Sequence, residues 1–376
     1  MRQPIDRYSF DDNVDYHYGK FPPEQLDYQR LFSAMGDARE ALARYDQTLQ
    51  ALHNSDILLT SLRGQEAVVS SRMEGTISTV DEVFRYEADH EDGAPTEARR
   101  DTVEVALYGS ALRRAQSSMR DGHPLSEFLI KSAHRHLLSF GRGANKDPGE
   151  YKKEQNYIGD DRRREVSFTP ISPEQLQPAM ERLINFANGD EFPPLLSIAL
   201  SHVEFEALHP FNDGNGRIGR MIITLSLWSK GLIAEPHFYI SAFLEEEKDQ
   251  YIERMRQVSL SGDWTGWCEF FLIALTEQAK RNLETAKAIS QLYEDMKTVF
   301  RDTTNSQWAM TAQDYIFKNP VFRNNRFTGR SGIPTSTAIR ISRALAEAGL
   351  LVELESASGQ RAALYAFEPL IRLVRT

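Results

Sequence analysis

Apolar residues recur at three- and four-residue spacing through "PEQLDYQRLFSAMGDAREALARYDQTLQAL", a period that predicts helix from Pro23 to about Leu62. A second helical stretch, "GQEAVVSSRM", runs up to Glu74 and Gly75, where glycine suits the left-handed residue that closes a helix. The period restarts in "STVDEVF", with Ser78 or Thr79 as the N-cap. The acidic "EADHEDGAPTEARRD" that follows is poor in apolar residues and contains Gly93 and Pro95, which predicts a surface loop. Helical periodicity resumes over Thr102–Met119 and Ser126–Leu138.

The pattern then changes. "GRGANKDPGEYKKEQNYIGDDRRREVSFTP" is rich in glycine, proline and charge, with strand-like pieces at Asn156–Ile158 and Val166–Thr169, and reads as an irregular β-hairpin flap. Helix returns at Ser172, and two strongly apolar helices lie between Pro194 and Gly231, interrupted by a polar hinge. A run from about Glu245 to Val258 leads into a long amphipathic helix that begins near "GDWTGWCEFF". After about Phe300 the order is helix, turn, helix and two short strands, "GLLVELE" and "AALYAF", a winged helix-turn-helix pattern. Pro334 lies in the first turn of its second helix. No internal repeat is present. The expected fold class is mainly α, divided into an N-terminal helical region (1–101), a central helical domain with the flap (102–299) and a winged helix domain (300–376).

Composition adds limits. Over 376 residues the hydrophobic fraction is 41% and the charged fraction 26%, ordinary for a globular protein. A net charge of −10 argues against generic polyanion binding and leaves room for a local basic patch. Cys268 is the one cysteine, so no intrachain disulfide forms and a reducing compartment fits. "MRQPIDRYSF" lacks a signal-peptide core and no apolar run reaches the ~20 residues of a membrane span, so a cytoplasmic protein without membrane contact is expected.

The chemistry concentrates in the hinge, "HPFNDGNGRIGR", residues 209 to 220. His209 precedes a proline and so avoids the α region, which ends the first helix there and leaves its imidazole at a terminus. Gly214, Gly216 and Gly219 permit backbone angles that let successive N–H groups converge on an anion at the start of the next helix. Arg217 and Arg220, three residues apart, can face the same anion with forks suited to phosphate. Asp213 beside such a nest makes electrostatic sense when a cation intervenes, and one carboxylate plus phosphate oxygens is a usual way of holding Mg²⁺. A base, a metal ligand, a phosphate cradle and two arginine clamps are equipment for phosphoryl or nucleotidyl transfer.

This hinge resembles the Fic motif, His-Pro-Phe-x-(Asp/Glu)-Gly-Asn-Gly-Arg-x-x-Arg, without departure, and the similarity extends over roughly Thr102 to Glu284. It implies a mainly α-helical enzyme that transfers AMP from ATP to a target hydroxyl and releases pyrophosphate. By position, His209 would deprotonate the hydroxyl and Phe211 would anchor the loop. Asp213 would hold Mg²⁺, while Gly214, Asn215 and Gly216 would cradle the α- and β-phosphates. Arg217 would stabilise the leaving phosphates and Arg220 would grip the γ-phosphate. "PGEYKKEQNYIG" resembles the family's flap, with Lys152 where arginine is common; Ile158 and Gly159 would border the nucleotide, and the flap edge would align a target by strand addition. Tyr251 stands where a Tyr-Tyr pair often lies near adenine, and reads equally as a packed aromatic.

"SSRMEG", residues 70 to 75, resembles the inhibitory motif (Ser/Thr)-x-x-x-Glu-(Gly/Asn), with Ser70 and Glu74 neighbours on one helix face. The resemblance implies that Glu74 occupies Arg220 in place of the γ-phosphate. The C-terminal module resembles winged helix domains appended to bacterial Fic proteins, and Arg323, Arg326, Arg330, Arg340 and Arg343 make it locally basic. DNA binding is the less favoured use of such a module, because fold does not determine function. The expected partner is a protein bearing a Ser, Thr or Tyr hydroxyl, self-modification included, and a homodimer is compatible with the resemblance. Two rivals stand beside adenylylation: removal of AMP or transfer of another phosphate-containing group on the same site, and a nucleotide-sensing DNA-binding regulator.

Overall fold

The computed structural model describes residues 8–51, 55–90, 99–160, 162–359 and 361–375. Helix predominates, and the described strands form two small sheets of three. The chain divides into two compact units, one of residues 1–43 and 110–279, the other of 44–109 and 280–376. The chain passes between them inside helices α1 (Tyr28–Ala51), α4 (Arg100–Arg120) and α11 (Trp264–Thr304). Among the described residues no helix is long and apolar enough to cross a membrane.

The first unit contains α5 (Glu127–Leu137), α6 (Pro173–Asn188), α7 (Pro194–Leu208), α8 (Asn215–Ser229), α9 (Ser241–Glu246) and α10 (Lys248–Ser261). α7 packs on α6 and on α8 and is buried almost all round, which is why its sequence is apolar on every face. Gly219 permits the close approach of α8 to α7: a Cβ there would come within 2.2 Å of the Glu206 carboxylate. The flap hairpin forms from β2 (Ile158–Asp160) and β3 (Glu165–Thr169), a few residues later on its first strand than the sequence pattern suggests. It has a third member that the pattern does not signal, β1 (Val14–Asp15), which runs parallel to β3 with Val14 opposite Phe168. Two residues of a strand carry no readable period. What fixes the segment is polar: Tyr16 donates to Glu204 Oε1 at 2.7 Å and His17 Nε2 lies 2.8 Å from Oε2, both buried against α7. Ser259 completes the network at 2.7 Å from His17 Nδ1, giving a buried carboxylate the partners it requires.

The second unit contains α2 (Ser55–Met73), α3 (Val80–His90) and, beyond the end of α11, α12 (Ala309–Lys318), β4 (Val321–Arg323), α13 (Asn324–Arg330), α14 (Thr335–Glu347), β5 (Val352–Glu355), β6 (Leu364–Ala366) and α15 (Glu368–Val374). Of the stretch expected to be helical from Pro23 to about Leu62, α1 and the start of α2 are helical, and residues 52–54 lie outside the described residues. α2 ends as its glycine predicts. Gly75 has φ +80°, its N–H donates to Arg72 O at 2.9 Å, and Thr76 N–H reaches Ser71 O at 3.0 Å. α3 begins with a reciprocal cap, Thr79 N–H to Glu82 and Glu82 N–H to Thr79 Oγ1. Gly64 brings α2 against α3, because a Cβ there would meet the Phe84 ring at 2.7 Å.

Two expectations require correction. The acidic stretch expected to be a surface loop from Glu87 is helical as far as His90, and Asp89 within it is buried; residues 91–98 lie outside the described residues. The carboxylate is neutralised there by Arg323 at 2.6 and 3.2 Å and by Arg361 at 3.1 Å, pairings that a local pattern cannot show. The same contacts correct the basic patch. Arg323 is buried and bound to acids, and Arg326 is buried and donates to Glu87 O at 3.2 Å, so Arg330, Arg340 and Arg343 are the three of the five that lie exposed. The C-terminal hairpin also gains β4, in the order β4-β6-β5, and a closing helix, α15.

Candidate active site

The hinge begins where α7 stops. His209 caps it in a left-handed conformation, φ 46° and ψ 60°, with its N–H on Phe205 O at 3.1 Å. A non-glycine residue pays for such angles unless its surroundings over-determine them, at a cost on the order of 1–3 kcal/mol. The determinants are two side chains from the segment leading into the flap. Lys152 Nζ donates to Leu208 O at 3.1 Å, and Asn156 Nδ2 donates to His209 O at 3.0 Å. The Lys152 backbone N–H reaches Pro210 O at 2.8 Å, and Asn156 Nδ2 reaches Phe211 O at 3.1 Å. Each successive carbonyl from residue 208 to 211 therefore accepts a bond from Lys152 or Asn156. The two are joined by a 2.7 Å bond from Nζ to Asn156 Oδ1. Burial pushes the Lys152 ammonium down to about 7.

Beyond His209 the loop is closed by a reciprocal pair. Asn215 Oδ1 accepts from Phe211 N–H at 2.9 Å and Asn215 Nδ2 donates to Phe211 O at 2.8 Å. The Asn215 side chain is thus committed to the loop; what Asn215 and Gly216 can offer an anion is their backbone N–H at the start of α8. Gly214, at φ 79° and ψ 9°, makes the turn into that helix. Phe211 is fully buried and stacked on the His134 ring, with centroids 3.7 Å apart and planes 8° from parallel.

His134, on α5, is a residue that sequence reasoning missed. Its Nδ1 accepts Gly149 N–H at 2.8 Å, so the ring proton is on Nε2, which lies 2.9 Å from Asp213 O and donates to it. Burial pushes this imidazole down to about 4, which keeps it neutral in that tautomer. The signal in the sequence was a histidine in the middle of an amphipathic helix, indistinguishable there from any core residue. Asn156 and Lys152 were present in the quoted flap, but nothing local says that they bind a segment more than fifty residues away.

The charged groups follow. Asp213 Oδ1 lies 3.4 Å from Arg217 Nη2, with the carboxylate partly exposed and the guanidinium buried. Among the described residues no cluster of three acids, histidines or cysteines forms a closed metal cage. One accessible carboxylate beside a helix N-terminus suits a magnesium ion shared with phosphate oxygens, whose own preference is for few protein ligands and several waters. Arg220 is buried in α8, and its charge adds to burial in pushing His202 on α7 down to about 3. His202 Nε2 is 2.8 Å from Tyr251 Oη.

Two family models match the chain: the Fic/DOC family N-terminal region over residues 32–117 and the Fic/DOC family domain over residues 124–227. The chain belongs to the Fic/DOC family. It is 28% identical over 145 residues to a protein adenylyltransferase of Caenorhabditis briggsae, covering 36% of this chain and 26% of that protein. It is also 28% identical over 129 residues to a probable protein adenylyltransferase of Aquifex aeolicus, covering 33% and 38%. The chain thus spans well under half the length of these relatives. A solved Fic family protein from Desulfovibrio desulfuricans shares the fold over 92% of this chain and 98% of its own, with a TM-score of 0.58 at 18% identity. A Fic domain protein from Bacteroides thetaiotaomicron does so over 67% and 97%, with 0.54 at 22%.

The remaining residues of the Fic reading are placed as follows. Tyr251 is buried, with its hydroxyl 2.8 Å from His202 Nε2 and its ring among Trp267 and Phe270. Gly159 lies at a bulge in the flap, where a Cβ would meet Glu165 O at 1.9 Å, and Ile158 beside it is half-buried. Ser70 is buried in α2 and Glu74 is exposed at its end.

Proposed function

We propose that this chain is a protein adenylyltransferase, transferring AMP from ATP to a hydroxyl on a protein, and that Glu74 holds its activity low. The supporting observation is the pinned loop: the bonds to carbonyls 208 to 211 hold His209 at the end of α7, immediately before an anion-binding helix start with two buried arginines. The target oxygen attacks the α-phosphorus and gives its proton to His209. The bond from that phosphorus to the bridging oxygen breaks, and pyrophosphate leaves with the electron pair. The N–H groups of Asn215 and Gly216 bind the α- and β-phosphates, Arg217 takes the charge of the leaving group, and Arg220 holds the γ-phosphate. Asp213 would hold Mg²⁺, which when bound neutralises phosphate charge.

The self-inhibited form rests on the Ser-x-x-x-Glu-Gly pattern of residues 70 to 75. A carboxylate and a γ-phosphate compete for one guanidinium because both suit its fork. The chain-order division into an inhibitory region (1–101), a Fic domain (102–299) and a winged helix domain (300–376) belongs to the same reading. The target carries a Ser, Thr or Tyr hydroxyl presented along the β2 edge. The test is incubation with ATP labelled at the α- or the γ-phosphate. Adenylylation retains the α label on protein and releases the γ label in pyrophosphate. Retention of the γ label would mean phosphoryl transfer, and release of AMP from modified protein would mean the reverse reaction dominates.

A further inference from the structure

The segment assigned to inhibition is rigid in itself. The helix-closing bonds at Gly75 and the reciprocal cap of Thr79 and Glu82 lock both sides of the turn between α2 and α3. The Glu74 backbone is therefore held between the two helices. They are seated on the C-terminal module, residues 309–374: α2 packs on α12 and α15, and α3 on β4 and α15. Ion pairs hold α3 at both ends. Near its start Arg375 binds Asp81 at 2.6 and 3.0 Å, a half-exposed pair. Near its end the Arg323 guanidinium holds Asp89, while its remaining donors reach Glu355 at 2.5 Å and Ala362 O at 3.0 Å. A single buried fork thus ties α3 to β4, to β5 and to the strand-to-strand loop. Arg361 adds a second cation to Asp89, and Arg326 holds Glu87 O two residues earlier.

We propose that the C-terminal module is the regulatory domain of this enzyme: it clamps the α2–α3 hairpin in the inhibitory position, and unseating it releases Glu74. This rests on the reading of Glu74 given above. Breaking the buried pair on one side leaves an uncompensated charge and loosens the seat of α3 without touching the catalytic loop.

The experiment compares wild type, Asp89→Asn and the milder Arg375→Ala, each alone and with Glu74→Gly, by adenylylation rate and by hydrogen exchange of residues 69–79. Thermal unfolding identifies any variant that fails to fold, and Arg375→Ala then carries the test. The expected result is faster exchange in the hairpin and basal activity raised about 5- to 150-fold, the usual span of allosteric coupling. In the Glu74→Gly background the same substitutions should add nothing. Unchanged exchange, unchanged basal activity despite faster exchange, or equal activation in both backgrounds would each overturn the proposal. Failure of Glu74→Gly alone to activate strikes the inhibitory reading instead, and exchange then decides whether the module holds the hairpin.

Discussion

Replacing Asn156 with alanine tests whether the pinned loop matters to chemistry. The side chain supplies donors to His209 O and Phe211 O and an acceptor to Lys152 Nζ. After truncation Phe211 O keeps its bond from Asn215 and Lys152 keeps Leu208 O, while His209 O loses the bond from Asn156. Removing a hydrogen bond from a carbonyl held away from water costs up to about 1–3 kcal/mol. That matches the roughly 1–3 kcal/mol by which a left-handed non-glycine residue is strained. The two are comparable, so His209 is no longer over-determined and its backbone relaxes. A displacement of about 1 Å at a reacting group can cost ~10²-fold in rate. The assay is the initial rate of AMP transfer in the Glu74→Gly background with and without Asn156→Ala, beside ATP affinity by calorimetry. The rate should fall about a hundredfold, by that same relation, with ATP affinity little changed because the proposed phosphate cradle lies on α8. Asn156→Asp, which keeps the acceptor and loses both donors, should behave like alanine. An unchanged turnover in Asn156→Ala would refute the argument that these bonds position His209.

Further outcomes follow from the same geometry. Glu74→Gly should raise AMP transfer by roughly 30- to 150-fold, the equivalent of a charged hydrogen bond worth about 2–3 kcal/mol, and Arg220→Ala in that background should return it to the basal rate; labelled ATP reads both. Asp213→Asn should weaken the magnesium dependence of the rate while leaving thermal stability near wild type, measured by titrating Mg²⁺ and by calorimetric melting. His202 is pushed down to about 3 by burial and by Arg220, so the unfolded chain takes up its proton first as the medium is acidified. Stability should therefore fall as pH drops below about 6.5, with this group contributing a slope of about 1.4 kcal/mol per pH unit. Denaturant unfolding between pH 4 and 7 should show a shallower slope in His202→Phe, and an identical slope would remove His202 from the acid sensitivity.

Helices, the flap and the dense hinge were legible because each announces itself locally: a period, a glycine after a helix, a proline after a histidine. Gly75, Thr79 and His209 end or begin their elements as the residues predict. What the pattern could not reveal was partnership at a distance. Asp89 looked like part of a solvated acidic run and is buried because Arg323 and Arg361, far along the chain, neutralise it. Arg323 looked like surface charge for the same reason. In the site, Lys152 stands where arginine is common, and its compact ammonium is buried between Leu208 O and Asn156. His134 and the two-residue β1 carried no distinguishing local signal, since their roles consist of contacts with segments from elsewhere.

The most direct measurement is the intact mass of the Glu74→Gly protein after incubation with ATP and Mg²⁺, alone and with a target extract, alongside Glu74→Gly/His209→Ala. Adenylylation predicts a covalent gain of one AMP on the protein or its target in Glu74→Gly, and a gain slowed by about 10²–10⁴-fold in the histidine variant, as for other general bases. An equal AMP gain in the His209→Ala variant, or a gain of a phosphoryl group in place of AMP, would contradict the account.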